Sequence, residues 1–252
     1  MLYKSPKISV ITVTYNCEDT IEYTLLSLKQ QLYKDYELII VDGGSTDSTL
    51  KIIHEFDDIV NVMISEKDNG IYDAMNKGIK MSKGEFIFFL NAGDILYDNN
   101  VLVKVSESMD NGYDIIYGDA IFIKDNKKYY KSFTSKPDLK FFSVDTICHQ
   151  SVFIRSSLFQ EIGFFNTREV IMADYEFLLK AFLSNNNTFK HIDYYIIYYN
   201  LDGKSAQIGH FYIMLRRMLI LKKYLGFIKS LRYIAFSILY KPVYTLKWKR
   251  TK

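Results

Sequence analysis

The chain has 252 residues, 48% hydrophobic and 24% charged, an ordinary globular composition with enough length for one large core. Its two cysteines, Cys17 and Cys148, stand far apart and in no metal-ligand spacing. The start, "MLYKSPKISVITVTY", lacks a signal-peptide h-region, and no uncharged apolar run reaches the roughly 18 residues that span a bilayer.

A reducing cytoplasm is therefore the expected compartment. The net charge of +3 is unevenly spread. Residues 203–252 hold 12 Lys or Arg and no acid, which leaves 20 bases against 29 acids in the preceding part. A basic, aromatic-rich tail suits nucleic acid, anionic lipid or an acidic partner, and charge alone does not choose among them.

In chain order, "ISVITVT" (8–14) is continuous and β-branched, as a strand covered on both faces should be. A helical pattern follows in "EDTIEYTLLSLKQQ", then a strand at 36–42, a helix from Thr46 to Phe56, a strand at 60–65, a helix from Gly70 to Met81 and the strand "EFIFFL". Strands alternating with helices in this way predict an α/β fold whose mostly parallel sheet is wound by right-handed crossovers. Ligands of such sheets bind beyond the carboxyl ends of the strands.

After residue 113 the pattern becomes less regular, with strand-like "YDIIYGDAIFI", "KKYYKSF" and "HQSVFIR", a helix at 173–184 and a further strand-like segment ending at Tyr199. This predicts a smaller, mixed second half. No internal repeat, low-complexity segment or Pro- and Gly-rich linker divides the two.

The corners beyond the strand ends share a chemistry. Thr14, Tyr15 and Asn16 follow the first strand, Asp42 and two glycines the second, Asp68 and Asn69 the third, and Asn91 to Asp94 the fourth. Each is also an ordinary turn residue, but four polar corners on one sheet edge describe a ligand site. On a helical wheel, Ile71, Ala74, Met75, Gly78 and Ile79 share one side of the helix from Gly70, with Asp73, Asn76 and Lys77 opposite.

The segments "ISVITVTYN", "ELIIVDGGSTDST", "DNGIYDAMNKGI" and "GEFIFFLNAGD", in this order, resemble family 2 glycosyltransferases of the Rossmann-like GT-A fold, above all bacterial enzymes that build surface polysaccharides such as O-antigen and capsule. The resemblance is densest over residues 6–120 and returns at "HQSVFIR" and "ADYEFLLK". It implies one GT-A domain over residues 1–210, with a nucleotide-binding half (1–112) and an acceptor half (113–210), followed by a basic, aromatic-rich helical segment (211–252).

By the same resemblance Thr14, Tyr15 and Asn16 line the nucleoside pocket and Asp42 accepts a base N–H, which suits uracil. Asp68, Asn69, Asp73 and Asn76 border the ribose, diphosphate or sugar. Asn91 and Asp94 stand at the family's metal motif, where a divalent cation, Mg²⁺ or Mn²⁺, would neutralise the leaving diphosphate. Asn91 and Gly93 replace acids of the usual pattern, so Asp94 is the only strong oxygen ligand there.

Asp174 takes the place of the general base of an inverting transfer, and Asp119, His149 and Gln150 are supplementary or acceptor-side groups. The implied activity transfers a hexosyl or N-acetylhexosaminyl group from a nucleotide sugar, UDP-linked by the uracil argument, to a saccharide on a lipid diphosphate. The implied place is the inner face of the cell membrane, reached through the basic tail beyond Gly226. The competing expectation is a non-catalytic nucleotide-sugar-binding or carbohydrate-binding subunit. Nucleic acid is not an expected partner, because the body is acidic and contains no nucleic-acid module.

Overall fold

The computed structural model describes residues 5–184, 186–201, 210–245 and 249–250. The first half reads β1 (Ile8–Thr14), α1 (Ile21–Lys29), β2 (Tyr36–Asp42), α2 (Thr49–His54), β3 (Val60–Ser65), α3 (Ile71–Met81), β4 (Phe86–Phe89), β5 (Ile95–Leu96) and α4 (Val101–Met109). The second comprises β6 (Ile115–Lys124), β7 (Lys127–Lys131), α5 (Leu139–Val144), a 3-10 turn (His149–Ser151), β8 (Val152–Arg155), α6 (Ser157–Glu161), α7 (Ala173–Leu183) and β9 (Phe189–Asn200). Helices α8 (His210–Leu225) and α9 (Phe227–Thr245) and the short β10 (Lys249–Arg250) close the chain.

One ten-stranded sheet runs through both halves in the order β10-β7-β6-β8-β4-β1-β2-β3, with β9 paired to β5 and β6. The pairs β1–β2, β2–β3 and β1–β4 are parallel. Every residue of β1 is buried, which explains its unbroken apolar and β-branched run: both faces are covered, so alternation has no use. The sheet changes direction at β8, antiparallel to both β4 and β6. There the rings of Phe88 and Phe153 stack 4.2 Å apart, a contact worth about 0.5–1.5 kcal/mol beyond the area it buries.

Register places the functional corners side by side. Thr14 pairs with Asp42 and Asp42 with Ser65, so the strands end level with one another. The loop after β4 joins the same edge, with the Ala92 amide donating to the Val13 carbonyl.

Three expectations need correction. Helix α2 begins at Thr49 rather than Thr46, because the Thr46 amide donates to Asn16 Oδ1 and the Ser48 amide to Glu18 Oε2, which ties this stretch to the loop after β1. Helix α3 is buried on more sides than the wheel implies. Gly78 meets β1 so closely that an added Cβ would lie 2.5 Å from Ile11 Cγ2, while Tyr72 and Asn76 are buried under the second half and Ile71 is exposed. Helix α4 and strand β5 are not among the expected elements, although Val101, Leu102, Val105 and Met109 of α4 are buried at helical spacing.

Gly226, at φ 76°, separates α8 from α9. Helix α8 packs on the body through Ile220 and Leu221, and α9 lies against α5, with Lys140 Nζ 5.7 Å from the Phe236 ring centroid. Among the described residues no helix is long and apolar enough to cross a membrane. Lys204, Lys247 and Lys252 of the basic segment lie outside the described residues.

Candidate active site

Two loops with interlocked polar groups form the first part of the edge. The Asn16 amide donates to Ser45 Oγ at 2.8 Å, and Asn16 adopts φ 46°, a left-handed conformation that Asn tolerates better than most residues. Thr14 Oγ1 lies 2.6 Å from Cys17 Sγ. Asp42 is fully buried. Its Oδ2 accepts from the Gly44 and Ser45 amides and from Ser65 Oγ, and its Oδ1 from Ser45 Oγ. Asp42 thus shapes the loop, and the ring of Tyr15 beside it is exposed.

Gly43 allows the loop after β3 to come close. A Cβ there would sit 2.5 Å from Asp68 Oδ2 and 3.4 Å from the Tyr15 ring. Asp68 Oδ1 accepts from the Gly70 amide, and Asp73 Oδ2 from the Asn69 amide, so three of the expected residues collect at the start of α3. Asn76 does not join them. Its side chain donates to the Phe165 carbonyl at 2.9 Å and accepts from the Phe165 amide at 3.0 Å, clamping a ring that packs against Tyr72, Phe89, Phe159 and Phe177.

The second part of the edge assembles around the corner after β4. His149 Nδ1 lies 2.9 Å from Asp174 Oδ2, Tyr72 donates its hydroxyl to Asp174 Oδ1 at 2.9 Å, and Asn91 Nδ2 lies 3.3 Å from His149 Nε2. With Asp174 ionised, Nδ1 carries the proton and Nε2 accepts from the amide. Burial pushes the Asp174 carboxyl up, but the hydrogen bond and electrostatic pull of the His149 ring and the hydrogen bond from Tyr72 outweigh it and hold the carboxyl below its ordinary range.

Asp94 is the opposite case. Burial raises its carboxyl to about 7, against the electrostatic pull of the His149 ring and a hydrogen bond from Gln150. The buried Asp94 and the half-buried Asp174 thus have environments that drive their carboxyls apart. Gln150 also hydrogen-bonds Tyr199 and accepts from Cys148 Sγ.

Beside this corner lies a cavity of about 250 Å³ that Asn91 and Asp94 do not line. Tyr72, Phe122, Phe133, His149, Asp174 and Tyr199 form much of its wall, with the Lys131–Asp145 ion pair beside them. A larger recess of about 560 Å³ lies at the opposite, amino edge of the parallel strands. On its wall Lys7 pairs with Glu85 and Asp110, and none of the polar corners after β1 to β4 reaches it.

Asp119 stands apart. It is buried, accepting from His191 Nε2 at 2.7 Å and from the Phe133 amide at 3.0 Å, which braces β6 against β9. Tyr72 and Tyr199 went unread in the sequence. Tyr72 sits two residues after the positive-φ Gly70 that opens α3, and Tyr199 lies one residue before the end of β9.

A cation would find oxygen donors here. Asn91 Oδ1 is buried without a hydrogen-bond partner, and the Asp94 carboxyl belongs to the same corner. Among the described residues no group of three or more His, Cys, Asp or Glu could hold a metal ion, so a cation at this corner would need further oxygens from a bound substrate.

The glycosyl transferase family 2 model matches residues 9–225. A PGL/p-HBAD biosynthesis glycosyltransferase of Mycobacterium bovis is 33% identical over 205 residues, covering 79% of this chain and 78% of the relative. Staphylococcus aureus TarS 1–349 in complex with UDP-GlcNAc superposes with a TM-score of 0.72 at 22% identity, over 92% of this chain and 71% of that one. Against a longer TarS structure the chain spans 43% of that protein. The mannosyltransferase PcManGT of Pyrobaculum calidifontis, in complex with GDP-Man and Mn²⁺, gives a TM-score of 0.63 at 16% identity over 97% of this chain and 74% of that one.

Proposed function

The chain belongs to glycosyl transferase family 2 and has the GT-A fold, and from that premise we propose an inverting transfer of a hexosyl or N-acetylhexosaminyl group from a UDP-linked donor to a saccharide hydroxyl. The acceptor in this reading is carried on a lipid diphosphate, and the product is a bacterial surface polysaccharide of the O-antigen or capsule kind. The work is done on the cytoplasmic face of the membrane. Residues 1–210 form the catalytic unit and residues 211–252 its basic appendage.

The observation that carries the reading is the Asp174 carboxylate, held ionised on a cavity wall and joined through His149 to Asn91 of the donor corner. The nucleoside lies against Tyr15, with the diphosphate toward Asp68, Asn69 and Asp73 at the N-terminus of α3, where backbone amides and the helix dipole favour anions.

The acceptor hydroxyl enters the cavity and gives its proton to Asp174 as its oxygen attacks the anomeric carbon on the face opposite the leaving diphosphate. Tyr72, His149 and the Tyr175 amide take three of the roughly four lone-pair sites of the carboxylate, which leaves one for the acceptor proton. A single in-line displacement of this kind inverts the configuration. The residues fit a divalent cation held by Asp94 and Asn91 Oδ1 together with substrate oxygens. When bound, such a cation supplies neutralisation of the charge that develops on the leaving group.

A screen of UDP-, GDP- and CDP-sugars tests the donor. A true donor raises the melting temperature as its concentration rises and is slowly hydrolysed with water as acceptor. Stabilisation with no turnover of any kind would favour the non-catalytic binding subunit instead.

A further inference from the structure

We propose that the outward face shared by α8 and α9 docks on an anionic lipid surface and brings the mouth of the Asp174 cavity to that surface. This rests on the lipid-linked acceptor proposed above and extends the contact from the basic tail beyond Gly226 back onto α8.

Phe211, Leu215 and Leu219 recur at four-residue intervals along α8, and Phe227, Ile228 and Leu231 follow on α9; all six are exposed, Phe211 at 71% and Ile228 at 84%. Residues four apart on a helix lie on one face, so each helix presents an apolar strip to solvent while Ile220, Leu221 and Ser230 face inward. The two strips meet at the Gly226 turn, where Lys222 Nζ stands 5.3 Å from the Phe227 ring centroid. Exposed apolar area of this extent marks an interaction surface.

The charges carried by the two helices are of one sign. Lys222, Lys229 and Arg232 are exposed among the apolar residues, and residues 203–252 contain no acid. Two other cations of α8, Arg216 and Lys223, pair with Glu169 and Glu176 of the body and fix the helix in place. Lipid matches this pattern better than the other occupants. A second copy meeting the same face across a two-fold axis would set these cations against each other, and nucleic acid has no use for Leu and Ile strips. An interfacial helix needs both elements, apolar side chains for the acyl boundary and bases for the headgroups.

The face is also linked to the cavity. Arg216 Nε lies 3.2 Å from Glu169 Oε2, and the next residue, Val170, is 70% exposed and lines the cavity together with Ile171 and the exposed Ile71. An apolar rim on a sugar-sized cavity, tied to an apolar and cationic helix face, suits a hydroxyl presented from a lipid anchor.

The test sediments the full-length chain with phosphatidylcholine vesicles with and without phosphatidylglycerol, beside two variants, Leu215→Ser/Leu219→Ser/Phe227→Ser and Lys222→Glu/Lys229→Glu. The wild type should sediment with the anionic vesicles. Each variant should bind them at least about tenfold more weakly, while stabilisation by the donor nucleotide stays unchanged and certifies the fold. Variants that sediment like a binding wild type overturn the assigned face alone. A wild type that binds neither vesicle, or that forms a dimer abolished by the variants, overturns the lipid contact altogether, and retained donor hydrolysis would then show that the transferase reading stands without it.

Discussion

His149 Nδ1 and Asp174 Oδ2 lie 2.9 Å apart, although 25 residues separate them in sequence. The 3-10 turn before β8 and the first turn of α7 bring them together, and the second ring nitrogen of His149 reaches Asn91 at the end of β4. One imidazole thus spans the acceptor-side carboxylate and the donor corner. In the proposed reaction it positions Asp174.

His149→Ala removes one of the two side-chain donors that keep Asp174 oriented and ionised. Transfer or donor hydrolysis should fall about 10–100-fold, on the scale of losing a charge-assisted hydrogen bond of about 1.5–3 kcal/mol. His149→Asn, whose amide can donate toward the carboxylate, should recover part of the rate. A purely structural role would show the loss in melting temperature for both variants and no such recovery.

Asp94 should make the metal-free protein sensitive to pH. The folded carboxyl holds its proton up to about pH 7, against about 3.8 when unfolded. Its contribution to stability is therefore full below about pH 4 and is lost as the pH climbs to about 7. In EDTA, Asp94→Asn should be more stable than the wild type at pH 8 by on the order of 2–4 kcal/mol, and this advantage should shrink toward pH 4. Denaturant titrations at both pH values measure it, and equal differences at the two would refute the assignment.

Asn76 distinguishes a ligand contact from a structural clamp. Asn76→Ala leaves the Phe165 amide and carbonyl without their partners, at a cost of about 2–4 kcal/mol for the two buried groups. Affinity for the donor nucleotide, measured by calorimetry on the folded fraction, should stay within about twofold of the wild type. A large loss of affinity with unchanged stability would return Asn76 to the diphosphate.

The limits of β1, β2 and β3 agree with the sequence to the residue, whereas β4 is one residue shorter at each end than its apolar run and β5 was not expected. The signal is strongest in β1 and β2, whose continuous apolar runs are buried on both faces. The corners were legible as a group. Single roles within them were not, because a side chain's partner is set by tertiary approach: Asp42 turns its carboxylate onto its own loop and Asn76 onto Phe165. Wheel reasoning failed on α3 for the same reason, since the second half covers a flank that the helix alone would leave wet. Tyr72 as a partner of Asp174, 102 residues away, could come only from the folded chain.

The most direct test of the central claim compares Asp174→Asn with the wild type in donor turnover, beside calorimetry of donor-nucleotide binding. The variant keeps size and much of the hydrogen bonding but loses the ionised carboxylate, so turnover should fall about 10²–10⁴-fold while nucleotide affinity and melting temperature hold. Turnover near the wild-type rate would show that Asp174 is not the base.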